Sequence, residues 1–172
     1  MAQSTEAQST EAQSEPESEN SLLSLFKALE SDTDLDKLNS FGNSTPKFSL
    51  KNAHKICKIV DVYDGDTVRG VFEHNGQFNK WTIRMYGYDS PEMRPSLSLE
   101  NRDEIKQKAR ESRDYLKGLI LNKTIYLHCL DFDKYGRVLA NIYTDGINNK
   151  SVNDHMVENN YGYAYFGGTK KK

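Results

Sequence analysis

Five short β-rich runs between residues 54 and 143, an Asn-Gly turn joining the second to the third, and one long amphipathic helix between the third and fourth predict an α+β, mainly β domain. The architecture that fits them is a five-stranded barrel of the OB type with flanking helices, preceded by a disordered acidic N-terminal tail.

Each element has a local reason. "AQSTEAQSTEAQSE" repeats every five residues and offers almost nothing to bury, so residues 1–20 are expected to be disordered. Residues 21–50 read as a linker with a short amphipathic helix, because Leu22, Leu25, Phe26 and Leu29 fall at helical spacing. The barrel is expected over residues 51–166, and 167–172 form a basic C-terminal tail. "HKICKIVDVY" is the first strand. "TVRGVFE" and "QFNKWTIRMY" flank Asn75-Gly76, whose turn needs positive φ at both positions. That turn makes paired residue numbers sum to 151, setting Val68 against Ile83 and Gly70 against Trp81, with the indole expected to cover the glycine. Val68, Trp81, Ile83 and Met85 then form the apolar face. A helix follows from about Arg102, with Asn101 and Glu104 at capping-box spacing and Ile105, Ala109, Ser112, Leu116 and Leu119 on one stripe. "KTIYLHCL" and "RVLANIY" are the last two strands, around the loop "DFDKYG"; "SVNDHMVENN" is a capped helix ending near Gly162.

Composition narrows the function classes. The chain has 172 residues and a formal charge of -2, but residues 1–40 carry near -7 and the rest near +5, a mild bias toward a polyanionic partner. Cys57 and Cys129 lack metal-site spacing and read as buried free thiols, which favours a reducing compartment. No basic start with an apolar run is present, and "SLLSLF" is too short to span a bilayer, so the expectation is a soluble intracellular protein, cytoplasmic or nuclear, without a membrane partner.

The chemistry-bearing stretch is "DVYDGDTVRG", residues 61–70, with three aspartates around one glycine. A calcium loop of the EF-hand kind fails: counted from Asp61 the twelfth position is Phe72, and counted from Asp131 it is Ile142, where a bidentate Glu is required. A plain Asp-Gly turn would explain the string in isolation. "IRMYGYDSPE" and "DKYGR" have equally ordinary readings as a strand running into a capped turn and as a hairpin loop.

In that order, however, "DGDTV", "IRMYGYDSPE" and "DKYGR" resemble the staphylococcal (micrococcal) nuclease family, from about His54 to Tyr165. The resemblance implies one calcium ion held by Asp66, Asp89 and the backbone carbonyl of Ser90, with Asp64 as a supporting neighbour; magnesium is not excluded by a two-carboxylate site. It implies Glu92 as general base, and Arg84 and Arg137 as the guanidinium groups that meet charge developing on the phosphate. Lys134 and Tyr135 match positions that contact the 3′-side phosphate. In "YGYAYFGG", aromatic residues line the family's nucleotide pocket; Tyr163 and Tyr165 are taken as the candidates, with the division among Tyr163, Tyr165 and Phe166 open. Ideal strand pairing sets Arg84 opposite Thr67 and so sends Arg84 and Asp66 to opposite faces; their convergence requires Asp66 to sit at the barrel mouth, outside the alternation.

The implied function is a calcium-dependent nuclease acting on DNA and RNA, preferring single-stranded or frayed regions, with little sequence specificity and 3′-phosphate products. The alternatives are a catalytically silent nucleic-acid or protein-binding module, and an interaction protein whose acidic tail is the working part. The amphipathic segment 22–29 is a candidate protein-docking element.

Overall fold

The computed structural model describes residues 17–144 and 150–167. The chain divides into two compact units, Met1–Lys47 and Phe48–Lys172.

In the first unit, α1 spans Glu17–Asp32 and α2 spans Leu35–Asn39. Helix α1 therefore begins inside the stretch expected to be disordered; once an apolar stripe nucleates a helix, extending it costs little per residue. Residues 1–16 of that stretch lie outside the described residues, as do 168–172 of the basic tail. Leu22, Leu25, Phe26 and Leu29 are each more than half exposed. Asp34 caps α2, its carboxylate accepting from the Lys37 N–H at 3.0 Å.

The second unit runs β1 (His54–Val62), β2 (Thr67–His74), β3 (Gln77–Met85), β4 (Tyr88–Asp89), α3 (Arg102–Ile120), β5 (Thr124–Phe132), β6 (Val138–Tyr143), α4 (Val152–Glu158) and β7 (Tyr163–Ala164). Five strands close a barrel in the order β1-β2-β3-β6-β5, and β4 and β7 form a separate two-stranded sheet. Asn75 and Gly76 have φ of 51° and 79°, and the β2–β3 register is the expected one from Thr67↔Arg84 to His74↔Gln77. The closure is a parallel pairing of β3 with β6, Ile83↔Val138 to Met85↔Ala140. It carries the residue before β6, Arg137, to the part of β3 that holds Arg84.

Val68, Ile83 and Met85 are fully buried with Ile59, Phe72 and Ile142. Two local expectations need correction. Trp81 opposes Gly70, but it stacks on Phe72 with ring centroids 5.0 Å apart, and the space over Gly70 is filled by the Cys57 sulfur and by Ile83 Cδ1, which a Cβ would meet at 3.0 Å. A flat ring gains more from a parallel aromatic neighbour than from a bare backbone. Asn101 precedes α3 without a side-chain capping bond, and Glu104 instead pairs with Lys108 one turn on. The buried stripe of α3 is Ala109, Ser112, Leu116 and Ile120, and the helix packs on β1. Helix α4 is capped by Ser151, whose Oγ accepts from the Asp154 N–H at 3.1 Å. Asn153 on α4 is buried and locks the barrel end: its Nδ2 donates to the carbonyls of Tyr86 (2.8 Å) and Ala140 (3.0 Å), and its Oδ1 accepts from the Ile142 N–H (3.0 Å). Among the described residues, no helix is long and apolar enough to cross a membrane.

Candidate active site

The Asp-Gly-Asp turn joins β1 to β2. Asp64 Oδ1 accepts from the N–H groups of Asp66 (3.0 Å) and Thr67 (2.7 Å), the bond pattern that makes aspartate a turn former. Burial, and then the charge of Asp66, push the Asp64 carboxyl up to about 6. Asp61 is turned elsewhere, into an ion pair with Arg69.

Asp66 precedes the first residue of β2 and so escapes the strand's alternation. Its Oδ2 accepts from the Ser90 N–H (2.8 Å) and Ser90 Oγ (2.9 Å), its Oδ1 accepts from Thr67 Oγ1 (3.0 Å), and Arg84 Nη2 lies 3.3 Å from Oδ2. The two side chains that ideal pairing would separate thus meet.

Arg84 is held from several directions. Nη1 donates to the Met85 carbonyl (2.7 Å), and Nη2 donates to the Tyr88 carbonyl (2.8 Å) and to Asp89 Oδ1 (2.8 Å). Asp89 is fixed by the small β4–β7 sheet, and its Oδ2 accepts from the Tyr163 hydroxyl at 2.9 Å. Burial, aided by that bond and the Asp89 charge, pushes the Tyr163 phenol up to about 12. Tyr88 is fully buried and donates to the Gly65 carbonyl at 2.6 Å, tying this sheet to the aspartate turn.

Arg137 arrives from the β5–β6 loop, where Gly136 takes φ of 78°. Its Nε donates to Asp133 Oδ2 (2.7 Å), and its Nη1 reaches Thr67 Oγ1 at 3.3 Å. Asp133 Oδ1 also accepts from the N–H groups of Tyr135 and Arg137, both at 2.9 Å. Burial raises the Asp133 carboxyl, but the bonds from Arg137 and Tyr135 outweigh it and hold the group below the usual carboxylate range.

These groups share a cavity of about 560 Å³. Asp66, Arg84, Asp89, Ser90, Glu92, Lys134, Tyr135, Arg137 and Tyr165 line it; Tyr163 does not. Glu92 is exposed at the rim, with Oε1 accepting from the Arg94 N–H at 3.3 Å. Lys134 Nζ and Arg137 Cζ lie 5.0 and 5.5 Å from the Tyr135 ring centroid. Phe166 also lines the cavity and meets Tyr86 edge-on at 5.7 Å.

The lining carries five acids (Asp64, Asp66, Asp89, Glu92, Asp133) against three bases (Arg84, Lys134, Arg137). With both arginines already ion-paired, the lining by itself does not attract an anion. A cation at the carboxylates reverses that. Among the described residues no three His, Cys, Asp or Glu side chains converge on one point. What is available is two carboxylates facing one guanidinium nitrogen, beside the Ser90 main chain: an all-oxygen set for a hard ion that retains water ligands.

Asp133, Thr67, Tyr88 and Asn153 were not singled out for the site by sequence reasoning. For Asp133 a signal existed, since it stands four residues before Arg137 across a glycine turn. Tyr88 and Asn153 act through partners distant in the chain, and Thr67 links its neighbour Asp66 to Arg137.

A protein of Methanocaldococcus jannaschii is 30% identical over 141 residues, covering 73% of this chain and 65% of its own length. A protein of Escherichia coli named as an uncharacterized endonuclease is 29% identical over 109 residues, 63% of this chain and 60% of its own. A probable staphylococcal-like nuclease of Oryza sativa subsp. japonica is 30% identical over 86 residues, half of this chain and 19% of its own. The chain thus spans less than two thirds of the length of these relatives. The model of the family described as staphylococcal nuclease homologue matches residues 82–172, more than half of the chain and most of the cavity's lining, and the chain belongs to that family.

Proposed function

We propose that the chain is a metal-dependent nuclease that hydrolyses phosphodiester bonds of DNA and RNA with little sequence preference, cutting the 5′ P–O bond and leaving 3′-phosphates. The observation that carries this reading is the meeting of Asp66, Arg84, Asp89, Glu92 and Arg137 at one cavity from three separate stretches of chain.

Asp66, Asp89 and the Ser90 carbonyl are the groups that would hold calcium, with magnesium as the other candidate. The ion supplies Lewis-acid polarisation of a phosphate oxygen and eases formation of hydroxide. Glu92 is exposed, so it can accept the proton of a water molecule as that water attacks phosphorus, a role worth about 10² to 10⁴ in rate. Among the described residues Arg84 Nε and one Nη1 N–H, and both Arg137 Nη2 protons, have no protein acceptor, so each arginine has donors left for the equatorial oxygens. As the bond to the 5′ oxygen breaks, that oxygen takes up a proton from water.

Lys134 and Tyr135 would contact the 3′-side phosphate, and Tyr165 would stack on a base at about 1–3 kcal/mol, which favours unpaired strands. Tyr163 is better employed holding Asp89 than stacking. The test is cutting of single- and double-stranded DNA and RNA with calcium, magnesium or chelator, comparing wild type with Glu92→Gln. Metal-dependent cutting that falls by about 10² or more in the variant, with melting unchanged, supports the enzyme. Binding without cutting in both proteins supports a silent module instead.

A further inference from the structure

A second cavity, of about 110 Å³, opens on the outer face of β1 and β5 and shares no residue with the first. Its lining includes a cross-strand histidine pair. His54 and His128 are direct partners in the β1–β5 register, with rings nearly parallel (13°) and centroids 4.8 Å apart. Neither imidazole has a hydrogen bond or ion pair among the described residues. The other two histidines are engaged differently: His155 Nε2 meets the Tyr115 hydroxyl at 2.8 Å, and His74 packs against Phe48 and Trp81.

We propose that His54 and His128 together hold a borderline transition-metal ion of the Zn²⁺ class, clipping β1 to β5. Directly opposed residues on neighbouring strands have Cβ atoms about 4.5–5.5 Å apart, so two imidazoles there reach one ion with side-chain rotation alone. Imidazole nitrogen suits Zn²⁺, Ni²⁺ and Cu²⁺, whereas the carboxylate set of the first cavity suits calcium and magnesium; the two sites sort ions by donor type. No third His, Cys, Asp or Glu among the described residues completes the set, so water fills the remaining positions. Cys57 and Cys129 are buried, and burial pushes their thiols up to about 12 and about 11, which keeps them out of competition.

The experiment titrates Zn²⁺ into the full chain in excess calcium, following heat and the histidine ring resonances, for wild type, His54→Ala, His128→Ala and Ile56→Ala. Wild type should bind one ion with both rings shifting together, and its melting temperature should rise with free Zn²⁺. Losing a ligand should weaken binding by more than the about tenfold typical of a ligand's orienting partner. Ile56→Ala, in the same cavity, should leave it unchanged. If either histidine variant binds Zn²⁺ as wild type does, or if only one ring shifts, the proposal is overturned.

Discussion

Gly65→Ala tests whether the aspartate turn is wedged against α3. A Cβ at residue 65 would overlap Ser112 Oγ and lie 2.7 Å from Ser90 Cβ and 3.0 Å from Ser112 Cβ. Ordinary carbon contacts are about 3.5–4.0 Å, so both serines must retreat by roughly an ångström. Overpacking of this kind costs about 1–3 kcal/mol. Displacing Ser112 also strains its 2.7 Å bond to the Tyr161 carbonyl, a loss of about 1 kcal/mol. Gly65 is not among the positive-φ glycines, so alanine fits its backbone and restores about 0.4–1 kcal/mol through the unfolded chain. The net expectation is a destabilisation of about 2–3 kcal/mol, near 10 °C in Tm for a unit of this size. Urea unfolding of Gly65→Ala, Ser112→Ala and the double variant measures it. Removing Oγ relieves the worst overlap, so the double variant should cost less than the sum of the singles by about 1 kcal/mol or more. Because Ser90 supplies two donors to Asp66, Gly65→Ala should also weaken cation binding. Strict additivity, or a single variant as stable as wild type, would refute the wedge.

Asp133→Ala frees Arg137 without touching its charge; kcat should fall by about 10²-fold, with KM less affected, in steady-state cutting assays. Tyr163→Phe removes the hydroxyl from Asp89 and should weaken calcium binding by about tenfold while leaving KM for nucleic acid nearly unchanged, the reverse of what a stacking role predicts. Asp64 bears on pH. Its folded pKa of about 6 lies above the ordinary carboxylate value, so the folded metal-free protein binds the extra proton between roughly pH 4 and 6 and loses that stabilisation as pH rises through the window. In chelator, Asp64→Asn keeps an acceptor for the Asp66 and Thr67 N–H groups. It should be less pH-sensitive there and more stable relative to wild type above pH 6, as read by denaturant midpoints.

Much of this molecule was legible residue by residue. Asn75-Gly76 states a hairpin and its register, because two positive φ values leave few other turns, and the register then assigns every side chain of β2 and β3 to a face. The site's charged residues were nameable from three short motifs. Trp81 and Asn101 departed from expectation where a local signal competed with a nearby partner: an aromatic ring for the indole, a helical lysine for Glu104.

What the linear chain determined by itself is therefore whatever neighbours within a few residues can enforce: turns, alternation, helical stripes, and the chemical types present. The tertiary structure alone decided which carboxylate faces which guanidinium. Asp66 meets Arg84 because it stands one residue outside β2, and Arg137 reaches Thr67 because β3 and β6 pair in parallel. Asp89 is held by Tyr163 across 74 positions of sequence. Contacts at that range are set by barrel closure and burial, which reward many weak fits at once, and no short segment carries them alone.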